Sequence, residues 1–412
     1  MEIRPILSAL MRSKTGAVLV AVQVAISLAI LANALHIVNL RQAVAARPTG
    51  VAAENDIFYV NIQNLNRGSH ERQLAEQKRQ AALLRALPGV MSVAQTSQAV
   101  LSRSGNITSV SIKRGQATPS AEVATYFSPD SLIKTYGLQL IEGRDFRPDE
   151  APEINEDVDN SSPKVVILSR AAAQQIWPGE TSFVGKTLFQ GSGPDDPELR
   201  VVGIVERLQT QNAQNKPRGE HSALLPARLT GGRDQLMYAV RAEPGQRDRL
   251  MQEAQQAIRT SSTDRLLVSI DTLQQHRKAR YRADQGLSWM LIAVSTLLLL
   301  VTASGIVGIA SLWVTQRKKQ IGVRRALGAR RIDILRYFLT ENFMITSAGI
   351  AAGVLLALAL NHLLVSQLEL ARLPLGYLLG GALVFWLLGV GAVYGPAWRA
   401  ASISPATATR ST

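Results

Sequence analysis

The sequence has no cysteine among its 412 residues. Disulfides and thiolate metal sites are therefore excluded. Enzyme signatures are missing too: no H-E-x-x-H or G-x-S-x-G occurs, and the five histidines are scattered. Neither an internal repeat nor a low-complexity tract is present. The most telling absence is charge. Asp, Glu, Lys and Arg vanish from four windows, Thr15–Leu40, Gln285–Gln316, Asn342–Leu368 and Leu373–Trp398. Each exceeds the roughly 20 residues that cross a bilayer as a helix, and uninterrupted apolar runs of that length span as helices rather than barrel strands. The first window resembles a signal peptide, with basic residues before it and Ala43-Val44-Ala45 after it. Its 26 residues are too long for the apolar core of one.

The net charge of +14 suggests nucleic acid until it is located. Residues 41–285 carry 31 basic and 27 acidic residues, and the rest of the chain carries 14 and 4. The excess sits at Arg12 and Lys14, in Arg317–Arg336, and at Arg399 and Arg410, which is the positive-inside pattern. This predicts a cytoplasmic N-terminus (1–15), spans at 16–40, 286–316, 342–368 and 373–397, a cytoplasmic segment at 317–341 and a cytoplasmic tail at 398–412. Residues 41–285 form the outer domain, long enough to fold on its own core.

Within that domain, alternation predicts a strand at Asp56–Gln63, then a helix at Glu71–Leu87 stopped by Pro88-Gly89 and a strand at Val90–Thr96. A short helix, Pro129–Tyr136, precedes Leu138–Glu142. The acidic stretch Arg147–Pro163 reads as a surface loop. Then follow strand Lys164–Leu168, helix Ser169–Trp177 with a Ser cap, strands Leu199–Val205 and Met237–Arg241, a helix around Gln246–Thr260 and strand Leu266–Ile270. Asp271 is expected to cap a helix at His276–Asp284 that runs into the second span. The fold class is a four-helix membrane protein with a large α+β outer domain in two subdomains, the second inserted at about 163–240.

Gly185-Lys186-Thr187 imitates a phosphate-binding loop, but the position five before Gly185 is Glu180, so the spacing fails. Gln23, Asn33 and Asn39 in the first span are expected to hydrogen-bond between helices. Gly305–Gly308 and the G-x-x-x-G of Gly349–Gly353 favour close helix packing, and the latter also marks dimer faces. Between the second and third spans, Ile321, Ala326, Leu327 and Ile332–Leu335 put apolar groups around a short basic helix. Such an amphipathic helix suits docking into a groove on a cytoplasmic partner, with arginines making directional ion pairs.

That segment, QRKKQIGVRRALGARRIDILRYFLTEN, resembles the signature of FtsX-like permeases of the MacB type. YGLQLIEGRDFRPD (136–149), KVVILSRAAAQQIWPGETSFVGKT (164–187), LRVVGIVE (199–206) and the tail from Gly395 to Ala406 are similar to the same family. The resemblance implies an ABC transporter permease in the bacterial inner membrane with a periplasmic outer domain, coupling ATP hydrolysis to movements that export or extract an amphipathic peptide, antibiotic or lipid-linked substrate. It makes Arg317, Gln320, Ile321, Gly322, Arg324, Arg325, Ala326, Leu327, Gly328 and Arg331 the ATPase-coupling residues. Arg324 and Arg325 are the expected docking contacts, and Gly322 and Gly328 shape the turn. No catalytic residue, metal or cofactor is expected on this chain, since ATP and magnesium belong to a separate ATPase. The expected partners are that ATPase, a second permease subunit, membrane lipid and a periplasmic adaptor, with no nucleic acid. Gln320, and the absence of Glu near Thr407, depart from the family pattern and favour a heterodimer. The alternative reading is a non-transporting regulator of a periplasmic cell-wall enzyme or sensor. A receptor or enzyme unrelated to ATP is disfavoured by a cytoplasmic loop of about 25 residues.

Overall fold

A computed structural model describes residues 14–64, 68–159, 161–191, 193–214, 218–231, 235–261, 266–368 and 371–402. The chain divides into two compact units, one formed by Val44–Arg282 and the other by the residues before and after it.

The first unit holds two main sheets. The smaller runs Leu266–Thr272, Ile57–Asn64, Gln235–Ala242, Val90–Gln95, antiparallel throughout. Strand periodicity sorts its two faces. Phe58, Val60 and Ile62 pack with Leu84 of helix His70–Arg85 and with Leu250, Ala254 and Ile258 of helix Arg247–Ser261. Ile57 and Tyr59 point the other way, into a core shared with Tyr126, Tyr136, Ile167 and Leu224.

The larger sheet is mixed, in the order Leu140–Gly143, Glu198–Val205, Val165–Ser169, Ser222–Leu225, Ala121–Phe127, Ile107–Ser111, Thr187–Gln190. Its last strand also pairs with Glu198–Val205, so six of the seven strands close into a ring. Closure removes two exposed edges. Its strands come from residues 107–225, so the inserted subdomain begins well before 163, and Gln235–Ala242 belongs to the smaller sheet. Ile107–Ser111 (ITSVS) is short and hydroxyl-rich, with no long apolar alternation to announce it.

Local chemistry sets the helix ends. Ser69, Ser131 and Ser169 each accept a backbone N–H from the first turn of the helix they precede. The cap before the second long helix is Thr272, not Asp271. Thr272 Oγ1 accepts from Gln275 N while Gln275 Oε1 accepts from Thr272 N, and the Asp271 carboxylate instead accepts from Asn61. The false phosphate loop is a turn followed by a strand at Thr187–Gln190. Lys186 pairs with Glu180 at 3.0 Å and lies over the Trp177 ring.

The second unit contains helices long and apolar enough to cross a membrane: Thr15–Ala45, Leu273–Gln316 (which begins in the first unit), Arg331–Gln367 and Leu375–Ala401. Its apolar core joins Val24 and Leu28 of the first, Ile306 and Trp313 of the second, Phe338 and Ile345 of the third, and Phe385 and Val393 of the fourth. The Gly349–Gly353 face is used inside the chain. A Cβ on Gly349 would lie 2.7 Å from the Ala21 carbonyl oxygen, and one on Gly353 would lie 3.0 Å from Ala25 Cα, so the first and third helices approach backbone to backbone. Asn33 bridges the same two helices by donating to the Ala29 and Ala357 carbonyls. Asn39 donates to the Tyr377 hydroxyl, and His36 Nε2 lies 3.1 Å from the Ala371 carbonyl.

Candidate partner-docking site

The basic segment is not one helix. The second long helix ends at Gln316, a short helix occupies Lys318–Ala326, and the third long helix starts at Arg331. Gly328 makes the reversal at φ +97°, a left-handed conformation that side chains disfavour, and its N–H bonds back to the Arg325 carbonyl. The new helix opens with Asp333 Oδ2 accepting from Arg330 N. Gly322 lies inside the short helix and is buried, so the turn is shaped by Gly328 alone.

The short helix and the first turns of the third helix enclose a groove of about 460 Å³. Of the residues singled out from sequence, Arg317, Gln320, Ile321, Arg324, Leu327 and Gly328 line it. The third helix adds Asp333, Ile334, Tyr337 and Phe338. Ile321, at 5% exposure, and Ile334 belong to the unit's own core, so they form the floor instead of an apolar ridge offered outward. The outward apolar group is Leu327, 83% exposed, flanked by exposed Ala326 and Val323.

The arginines have distinct fates. Arg317 Nη1 donates to both carboxylate oxygens of Glu341, at 2.9 and 2.7 Å, and that carboxylate side chain is 1% exposed. Arg325 Nη1 donates to the Ala401 carbonyl at the end of the fourth helix, so it ties helices together. Arg324 is exposed, with its guanidinium 5.2 Å from the centre of the Tyr337 ring. Arg331 is exposed and stands outside the groove lining. The structure thus separates Arg324, exposed on the groove, from Arg317 and Arg325, which bond within the chain. Glu341 and Tyr337 were missed in the sequence. Their signal was a four-residue spacing, Asp333, Tyr337, Glu341, which sets all three on one helix face. Thr407, Arg12 and Arg410 lie outside the described residues.

A second concavity, about 690 Å³, lies in the first unit, lined by Asn61, Gln98, Arg103, Asp271 and His276 among others. Its lining is mostly polar, unlike the apolar walls of a typical small-molecule pocket. Among the described residues no group of three or more His, Asp or Glu side chains is placed to hold a metal ion.

Comparison with known proteins fits this architecture. Residues 19–261 match the MacB-like periplasmic core domain and residues 292–405 match the FtsX-like permease C-terminal domain. A macrolide export ATP-binding/permease protein MacB of Bradyrhizobium diazoefficiens is 32% identical over 239 residues, 56% of this chain and 35% of that protein. The MacB protein of Agrobacterium fabrum is 28% identical over 310 residues, 72% of this chain and 44% of its own. A pyoverdine export ATP-binding/permease protein PvdT of Pseudomonas syringae pv. tomato is 36% identical over 134 residues, 32% of this chain and 20% of its own. The chain therefore spans less than half the length of these relatives. With the core domain covering more than half of the sequence and the permease domain following it, this chain belongs to the MacB-type family of FtsX-like permeases.

Proposed function

We propose that the chain is the permease subunit of an ABC exporter, driven by a separate ATPase that docks on the short helix Lys318–Ala326 and the groove beside it. ATP and magnesium are held by that partner. The basic flanks support a groove on the cytoplasmic side and an α/β domain on the periplasmic side. Movement imposed at the groove passes to the domain through the helices that bracket it in sequence, the first and the second. The substrate is an amphipathic peptide, antibiotic or lipid-linked molecule, released or extracted by the domain. A second permease subunit completes the assembly. Gln320, an exposed neutral residue on the groove wall, favours a heterodimer whose sister chain presents a different charge. A periplasmic adaptor on the domain is consistent with this scheme.

The observation that carries the docking assignment is Leu327. A leucine 83% exposed beside Arg324, on the wall of a formed groove, has the apolar anchor and charged rim of a binding surface. Burying such a side chain contributes about 2 kcal/mol. The test is affinity capture of the full chain in mild detergent. An ABC-type ATPase should co-purify with the wild type, and Leu327→Asp should lower its recovery by about tenfold or more, since each 1.4 kcal/mol is tenfold in affinity. Undiminished recovery would remove the groove from the docking interface.

A further inference from the structure

The groove's exposed arginine is held from behind by groups of the third long helix. Arg324 rests on the ring of Tyr337 at 5.2 Å. The Tyr337 hydroxyl lies 3.5 Å from Arg317 Nη1. Arg317 is in turn fixed by Glu341 through bonds of 2.7 and 2.9 Å to the two carboxylate oxygens, and its guanidinium lies 5.8 Å from the Trp313 ring. The order is therefore Glu341, Arg317, Tyr337, Arg324, with the first link buried and the last exposed.

Helix geometry makes this arrangement a face-to-face match. Asp333, Tyr337 and Glu341 recur every four residues along the third helix, while Gln320 and Arg324 are four apart on the short helix, with Arg317 just before its start. Arg317 also occupies the break between the second long helix and the short one, at φ −98° and ψ 9°. A side chain rooted at that break and clamped to Glu341 fixes the angle at which the short helix leaves. The planar guanidinium suits the task, because two bonds to one carboxylate leave it little freedom to turn. A buried ion pair adds little net stability against an apolar pair, yet removing one partner strands a buried charge. Its use here is to set geometry.

We propose that Glu341 is a positioning residue for partner docking: through Arg317 and Tyr337 it sets the location of Arg324 and the width of the groove. The proposal rests on the docking reading above, and the experiment separates the two. The probe is the ABC-type ATPase captured by the wild-type chain, purified and titrated onto full-length permease in detergent. Arg324→Gln and Glu341→Gln should each weaken binding, by about tenfold, and the double variant should be no weaker than the weaker single, because both remove the same placed charge. Binding through Arg324 should also lose its salt dependence alike in both singles. A merely structural Glu341 would instead give multiplied losses, about a hundredfold in the double variant, with the salt dependence retained in Glu341→Gln. That outcome overturns the proposal, as does wild-type affinity of Glu341→Gln. Should Glu341→Gln fail to accumulate in the membrane, Tyr337→Leu removes the ring beneath Arg324 and leaves the ion pair in place. Its loss should likewise not multiply with that of Arg324→Gln, and a multiplied loss overturns the proposal. If Arg324→Gln and Leu327→Asp both bind normally, the docking reading itself is what fails.

Discussion

In the α/β unit, Phe58, Tyr59 and Tyr238 are wholly buried, whereas on the second long helix Trp289 is 72% exposed and Leu297 and Leu300 are 61% exposed each. Polar groups are buried in both units, and in the helical one they meet across helices. Ser27 and Thr302 hydrogen-bond to each other within the helical unit, and Trp386 Nε1 donates to Ser347. In the α/β unit, Arg249 and Glu253 pair across an exposed helix face. The difference follows from the solvent each unit meets. Water drives apolar area inward. Lipid offers no such drive, so helices associate through small residues, close packing and interhelical hydrogen bonds. The outward leucines of the second helix form an exposed apolar face of the kind that suits lipid.

Substitutions can break this contrast. Phe58→Ala should cost about 4 kcal/mol, because it opens a cavity in a water-driven core. Leu300→Ala, equally apolar but facing outward, should cost less than about 0.5 kcal/mol. Thermal unfolding in detergent checks both, and comparable losses would end the assignment of an outward lipid face. Gly353→Leu should come next, at about 2–3 kcal/mol from overpacking against Ala25 and Leu28. It should separate the first and third helices, which a cross-link between cysteines introduced on those helices would detect as a lost product. Asn33→Ala should cost about 0.6–1.7 kcal/mol, the range for interhelical hydrogen bonds in a bilayer.

A further expected effect concerns pH. Arg144 donates to both oxygens of Glu150, at 2.6 and 2.8 Å. The guanidinium is the main reason that the Glu150 carboxyl falls to about 2, with the Arg147 N–H adding to it. A depressed folded pKa gives stability that is present above the ordinary carboxylate range, near pH 4.3, and lost as pH falls toward 2. Glu150→Gln should therefore remove about 1 kcal/mol at neutral pH and flatten the acid limb between pH 4 and 2. An unchanged acid limb would show that the pair has no net effect on folding.

The parts of the α/β unit read correctly from sequence were those with local causes: alternation in Asp56–Gln63, the Pro88-Gly89 stop, and the Ser169 cap. The ring closure through Thr187–Gln190 had no such mark, because its pairing with Glu198–Val205 is local but the pairing that closes the ring is with Ile107–Ser111, far earlier in the chain. The candidate site divided the same way. Sequence located the basic segment and assigned its turn to Gly322 and Gly328, but paired Arg324 with Arg325 as the docking contacts. Arg317, Arg324 and Arg325 differ only in what approaches each of them from elsewhere: Glu341, Tyr337 and the Ala401 carbonyl.

By itself, then, the sequence determined the four apolar helices, the basic segment between the second and third, and the family. Helix length, hydropathy and a contiguous motif are properties of neighbouring residues. Only the tertiary structure decided that the G-x-x-x-G face is spent against Ala21 and Ala25, and that two of the four candidate arginines, Arg317 and Arg325, are engaged inside the chain. Which partner satisfies a buried charge or fills the space above a glycine depends on residues brought together by folding, and no local pattern encodes that choice.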